Sequence, residues 1–392
     1  MSLPHEIVRQ VLNQPQPLAA LQRATEVSLP TLRRAVQELT EARWITVVGQ
    51  AQARGGRPAM LFGLDNSRYL LLGVHLQLPG MRLVTSDLTG HVYKEEKLFD
   101  RAVPAPEEAV QAVADYVARV RSQFPQRTLL GVGVASPGFT DPATGDILSI
   151  GRVPTWGNFP ICRRLQSVSE LPVAIANDVD CMAFAEFLHS QESLAGNLAY
   201  VGYDEAVKVS LFLQGELYRG ALGNAGLIAS HLLRVGEVDS GEDVEALLTV
   251  HGVNRLIEQR VASLDAADRA PYAGFLEITN PRQRFRHLLT REDADLPICS
   301  DVMADLSATS AAAAANIALV IQPDVVVIGG LLGAMSGERF AQLELAIRSH
   351  LPALVSHSVL IRQSKHTGQN AAAIGANYHF LRTYLNDPAS TL

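Results

Sequence analysis

One order of segments occurs twice along this chain, and that duplication limits the fold more than any single motif. In the first copy, Tyr69–Gln77, Met81–Leu88 and His91–Phe99 have strand texture, with turns at Leu78-Pro79-Gly80 and Thr89-Gly90. An amphipathic helix follows over Glu107–Gln123, then an apolar strand over Leu129–Ala135 that ends at Ser136-Pro137-Gly138. A helix near Ile161–Val168, a strand over Pro172–Ala176 and a helix over Asp178–Ser190 complete the block. The order restarts with strands at Leu198–Tyr203, Lys208–Leu213 and a short Glu216–Tyr218. Later come an alanine-rich helix (Asp301–Ile321), a strand (Asp324–Ile328), a helix (Ser336–His350), a strand (Val359–Ile361) and a closing helix (Asn370–Leu385). A βββαβα order met twice predicts two related α/β lobes with a cleft between them. They would span about 67–190 with 375–392, and 191–374.

Residues 1–66 have a different texture and read as a separate domain. Pro4–Asn13 carries Ile7, Val8, Val11 and Leu12 on one helical face, and Leu18–Thr25 gives a second short helix. Ser28 then supplies an N-cap and Pro30 falls in the first turn, where a missing N–H costs nothing. The third helix runs to about Ala42 with Leu32, Val36 and Leu39 turned inward. Its other face presents Thr31, Arg33, Arg34 and Gln37 beside Ser28, the polar and guanidinium groups that major-groove reading requires. Trp44–Val48 and Ala59–Leu64 read as strands of a hairpin, and its tip holds Arg54 and Arg57 on either side of two glycines. A winged helix-turn-helix contacting duplex DNA is the expectation. The alternative is a small helical protein-interaction domain whose arginines are merely solvated.

Charge splits the same way. Residues 1–65 hold seven arginines, no lysine and five acids, a net +2, whereas the whole chain is −7, which leaves −9 on the rest. An acidic body repels polyanions, so any nucleic-acid contact belongs to the head. One head at +2 is weak by itself, and a dimer or tetramer presenting two heads to an operator is expected. No run of about 18 apolar residues occurs, the stretch Ala311–Ile321 being broken by Asn316, so no membrane insertion is expected. Cys162, Cys181 and Cys299, three and far apart, exclude a disulfide framework and point to a reducing, cytoplasmic setting.

With these segments in order, the chain resembles the ROK family of bacterial repressors and sugar kinases over nearly its whole length. The matching stretches are Gly131-Val-Gly-Val-Ala-Ser-Pro-Gly138 with Asp141 and Gly145, Pro154-Thr-Trp-Gly-Asn158, and Ala176-Asn177-Asp178. Further matches are Gly215–Gly220 with Gly223–Gly226, Gln322–Gly330, and Ala372–Ala376. The resemblance implies an actin/hexokinase-like, two-lobed body, and the Arg57-Pro58 head points to its repressor branch. It also implies a sugar site at Gly138, Asn158, Asn177 and Asp178, with Glu245 and, displaced by one place, His231. Trp156 and Asn158 read equally well as pocket or packing residues.

The departures from the family pattern set the functional expectation. A kinase of this family grips ATP with two glycine-rich turns. The first place reads Gly73-Val-His-Leu-Gln-Leu-Pro79, with His75 where an aspartate belongs. The second reads Ala206-Val-Lys-Val-Ser210, a plain strand. The sugar-binding Glu of the family's Ala-Gly-Glu segment is Leu227 here, and no cysteine lies between Leu232 and Val250 to complete the family's zinc site. The expectation is a repressor that senses a sugar or sugar derivative, with no catalytic residue, cofactor or metal. A sugar kinase with an unusual nucleotide site, and a regulator whose effector is a protein, are the rivals.

Overall fold

Ile7, Leu21, Leu32 and Ile45 are completely buried and gather three helices against a small sheet at the amino end of the computed structural model. The structure describes all residues except 1, 13, 52–57, 78, 101, 152, 189–195, 204–206, 229–246, 291–295, 367 and 369, and the side chains of 187 and 188. The three helices are Leu3–Leu12, Leu18–Thr25 and Leu29–Glu41. The strands are β1 (Gln16–Pro17), β2 (Ile45–Gln50) and β3 (Met60–Leu64), antiparallel in the order β1-β3-β2. This is the helix and hairpin order of a winged helix. β1 has no signature in the sequence, because a two-residue strand containing a proline has no alternation to read.

The first lobe is a five-stranded sheet in the order β10-β7-β4-β5-β6. Its members are β4 (Tyr69–Leu76), β5 (Met81–Asp87), β6 (Val92–Leu98), β7 (Thr128–Ser136) and β10 (Val173–Asn177). β4, β5 and β6 form an antiparallel meander, while β7 runs parallel to β4, and β10 to β7. Every residue of β4 is buried, as expected of a central strand covered on both faces. A hairpin of β8 (Phe139–Asp141) and β9 (Asp146–Ser149) interrupts the repeat, and its short strands went unread in the sequence.

The second lobe repeats the plan as β13-β12-β11-β14-β15. These are β11 (Leu198–Tyr203), β12 (Val207–Leu213), β13 (Glu216–Leu217), β14 (Val325–Gly330) and β15 (Leu360–Gln363). The duplication expected from segment order is therefore present strand for strand, with β13 one residue shorter than expected. Helices Val250–Ala262 and Pro281–Thr290 were not anticipated, the latter because its apolar stripe is thin among arginines. The alanine-rich helix begins earlier than expected and spans Pro297–Ile321. It is long and apolar enough to cross a membrane by length and composition. Its buried side chains Val302, Met303, Leu306, Ala311, Ala314 and Ala315 belong to the core around Val201 and Ile328.

The chain divides into two compact units, residues 1–193 with 368–392, and residues 194–367. The head thus shares a unit with the first lobe, and named contacts hold it there. The Ala42 carbonyl, which caps the third helix, accepts from Arg68 Nη1 (3.0 Å) and Tyr69 Oη (3.3 Å). Trp44 stacks on Tyr69 with centroids 4.4 Å apart and on Tyr384 at 6.2 Å. His5 Nε2 lies 2.8 Å from Ser390 Oγ.

The closing helix, Ala371–Asn386, lies directly on β4 and β7. A Cβ built on Gly73 would sit 2.0 Å from the Ala373 carbonyl oxygen, and one on Gly133 would sit 2.0 Å from that of Ala376. Backbone meets backbone there, so no side chain can yield. Gly133→Val is expected to destabilise the first unit by about 3 kcal/mol or more, beyond the usual overpacking cost. Denaturant unfolding followed by circular dichroism checks it, and a stability within about 1 kcal/mol of the wild type would refute the seam.

Candidate DNA interface and ligand site

The third head helix is built to hold a fixed outer face. Ser28 Oγ accepts from Thr31 N at 3.4 Å and lies 2.7 Å from Thr31 Oγ1, closing the first turn with Pro30 inside it. Leu32, Ala35, Val36 and Leu39 are buried, which leaves Thr31, Arg33, Arg34 and Gln37 exposed on the opposite side. The structure adds two acids to that face. Arg34 Nε donates to Glu38 at 2.9 Å and Gln37 Nε2 donates to Glu41 at 2.9 Å. The four-residue spacing of both pairs was the signal available in the sequence. Such exposed pairs contribute only a few tenths of a kcal/mol, roughly, so either side chain can exchange its acid for another partner. Arg54 and Arg57 lie outside the described residues.

Of the residues expected at a ligand site, Gly138, Asn177 and Asp178 lie at the carboxyl ends of β7 and β10, near the end of β4. Asn177 ends β10 opposite Ser136 of β7, and His75 of β4 stands opposite Ala135. Asn177 Nδ2 donates to the Gly138 carbonyl at 3.1 Å, and its Oδ1 accepts from Val179 N at 3.0 Å. Gly138 (φ 77°) turns its carbonyl into reach in a conformation that favours glycine. Asn177 is buried and spends one donor and one acceptor on the protein, so it orients this corner.

Asp178 is different. Its Oδ1 accepts from Val179 N at 2.9 Å, while its side chain keeps 21% exposure and its Oδ2 faces His75 Nε2 at 3.9 Å. That distance is too long for a hydrogen bond. His75 is 4% exposed, and among the described residues its Nδ1 has no hydrogen-bond partner. Opposite His75 in the ladder stands Arg82, whose Nη1 donates to Asn370 Oδ1 at 3.2 Å. In the sequence His75 is visible only as a replaced aspartate, and its approach to Asp178 depends on the fold setting the ends of β4 and β10 on either side of β7.

Asn158 is exposed and left-handed (φ 52°), held through its backbone N–H to the Leu148 carbonyl at 3.0 Å. Trp156 is fully buried and donates from Nε1 to the Pro104 carbonyl at 2.9 Å, which makes it a packing anchor. His231 and Glu245 lie outside the described residues, as do 204–206 between β11 and β12. Among the described residues no three His, Cys, Asp or Glu side chains gather into a metal-holding group.

The sequence pattern that defines the ROK family matches residues 79–383. The chain belongs to the ROK family. That match runs from the turn after β4 into the closing helix, and relatives extend it toward the head. A putative xylose repressor of Caldicellulosiruptor sp. (strain Rt8B.4) is 22% identical over 88% of this ROK chain and 87% of its own length. A β-glucoside kinase of Klebsiella pneumoniae is 25% identical over 65% of this chain and 79% of its own. Among solved structures, a ROK family transcriptional regulator described as a homologue of the E. coli Mlc protein superposes with a TM-score of 0.74 at 18% identity. It covers 97% of each chain, head included, and shows a shared fold.

All three cysteines are buried, and none belongs to this corner's polar set. Burial pushes the Cys162 thiol up to about 12 and that of Cys299 up to about 11, so the reactive thiolate is absent at neutral pH in the folded ROK chain. A thiol-disulfide reagent at pH 8 is expected to leave the native protein unlabelled over minutes and to titrate three thiols in denaturant. Rapid native labelling would contradict this burial.

Proposed function

We propose that this ROK chain is a DNA-binding transcriptional repressor of carbohydrate-related genes, which senses a sugar or sugar derivative without phosphorylating it. The observation that carries the reading is the capped helix Leu29–Glu41, with Thr31, Arg33, Arg34 and Gln37 exposed along one face. A buried stripe and a tethered C-terminus fix that face, which is what base-edge contacts need. The xylose-repressor relative, aligned over most of both chains, supports the same role. Arg54 and Arg57 would flank the duplex from the hairpin. With a head of net +2, useful affinity requires two heads on two half-sites, so the working form is a cytoplasmic homodimer or homotetramer.

On the body side, Asp178 keeps a partly exposed carboxylate oxygen, which suits acceptance from a sugar hydroxyl. Asn177 and Gly138 hold it in place. His75 replaces the acid that a kinase would use at its first phosphate turn, and buried aliphatic neighbours, Val74 and Leu76, leave β4 without a polar cradle. Val207–Leu213 is a regular seven-residue strand where the second phosphate turn would lie. These features support binding without transfer. The kinase rival rests on the same Asp178, which in kinases serves as general base, and on the β-glucoside kinase relative.

Arg33→Ala with Arg34→Ala is expected to weaken binding to a duplex from the region upstream of its own gene by about a hundredfold or more, since a bidentate base contact contributes about 1–3 kcal/mol. Fluorescence anisotropy measures it, with an unchanged far-ultraviolet dichroism spectrum as the folding control. Unaltered affinity would sink the assignment of the helix. A coupled assay with hexoses, ATP and magnesium is expected to show no turnover, and turnover abolished by Asp178→Asn would restore the kinase reading.

A further inference from the structure

The two elements that meet the ligand corner at one end hold the head at the other. β4 starts at Tyr69 against the head and ends one residue beyond His75. The closing helix runs the opposite way, from Asn370 beside Arg82 to Tyr384 and Asn386 at the head. Each covers about 20 Å. They touch along the way: a Cβ on Gly73 would meet the Ala373 carbonyl oxygen at 2.0 Å and Asn377 Oδ1 at 3.1 Å. Backbone packed this closely does not absorb a displacement by side-chain adjustment, so strand and helix shift together.

Both ends are suited to that task. At the ligand end, His75 is buried without a hydrogen bond on Nδ1 and stands 3.9 Å from the Asp178 carboxylate. A ligand hydroxyl that hydrogen-bonds His75 engages β4 directly, and one that bridges His75 and Asp178 links β4 to the residue after β10. At the head end, the Ala42 carbonyl at the C-terminus of the DNA-facing helix accepts from Arg68 and Tyr69, and Trp44 stacks on Tyr69 and on Tyr384. Arg9 Nη1 reaches Asn386 Oδ1 at 3.5 Å.

We propose that β4 and the closing helix form a strut through which occupancy at His75 and Asp178 sets the pose of helix Leu29–Glu41, with Trp44, Tyr69 and Tyr384 as positioning residues. The proposal rests on the DNA-reading role proposed above, and the strut lies wholly within residues 1–193 and 368–392. It places the coupling in one packed unit.

Spatial continuity is not coupling, so the test is a double-mutant cycle with a readout independent of DNA. In the full-length protein, hydrogen exchange of amides 29–45 is followed in the wild type, His75→Ala, Asp178→Asn, Tyr384→Leu and Tyr384→Phe. Substitution at the ligand corner is expected to change head exchange by about fivefold or more, and Tyr384→Leu to remove that response. Tyr384→Phe, which keeps the ring, should preserve it. Operator affinity by anisotropy should show the same non-additivity between His75→Ala and Tyr384→Leu, about fivefold or more. Asp178→Asn, conservative and partly exposed, supplies the corner variant if His75→Ala does not fold. Head exchange indifferent to both corner substitutions overturns the strut, as does strict additivity. An intact exchange response in a protein that binds no duplex would support the strut and count against the DNA-reading role instead.

Discussion

The contact on which the first unit depends is backbone against backbone, where Ala371–Asn386 lies on Gly73 and Gly133. Peptide groups approach this closely only where the strands carry no side chain at the crossing and the helix keeps its own short, as at Ala373 and Ala376. The gain is dispersion and burial over a long interface, with little side-chain entropy to lose on ordering. The consequence reaches both ends of the helix. Its start is brought to Arg82 and the ligand corner, its end to Trp44 and the head. A bulkier seam would separate the strands' functional ends from the closing helix, and the head would lose one of its two aromatic supports.

Much of the architecture was legible because duplication is a strong pattern. Strands β4, β7, β11 and β14 are largely apolar runs of ordinary length between turn residues, and an order met twice restrains errors in either copy. What escaped reading has physical reasons. β1 and the β8–β9 hairpin are too short for periodicity, and β1 is a strand only because β3 offers it partners at Leu61 and Phe62. Helix Pro281–Thr290 has four arginine or histidine side chains in ten residues, and it is held by a buried Arg284 that donates to the Ile278 and Leu276 carbonyls. Tertiary satisfaction of that guanidinium outweighs local polarity, which sequence alone does not reveal.

The candidate site was legible by residue type and less so by arrangement. Asn177 and Asp178 were visible as a pair, but not that Asn177 is tied to Gly138 and Val179, which leaves Asp178 as the accessible member. His75 was visible as a substitution for an acid. Its meaning changes once the sheet places it beside Asp178: an imidazole there adds a donor toward the carboxylate in place of a second negative charge. A pair of acids at that corner would favour a divalent cation between them, while a His and an Asp favour a neutral polyol that both donates and accepts. Under the proposed role, a histidine at this position therefore changes which ligand the corner would suit.

The head shows how a weakly charged reader can still be selective under the proposed role. Its DNA-facing helix carries Glu38 and Glu41 four residues beyond Arg34 and Gln37, so both readers begin with an intrahelical partner. Against a phosphate backbone those acids repel, which lowers sequence-independent affinity more than a face of arginines alone would allow. Against a base edge that offers two well-placed acceptors, Arg34 gives up a solvent-screened ion pair of small value for a bidentate contact of larger value. The difference between the two exchanges is specificity. A head tuned this way gains little from non-specific DNA, and its occupancy of a true site then depends on how firmly the helix is presented, which is the property that Trp44, Tyr69 and Tyr384 control from behind.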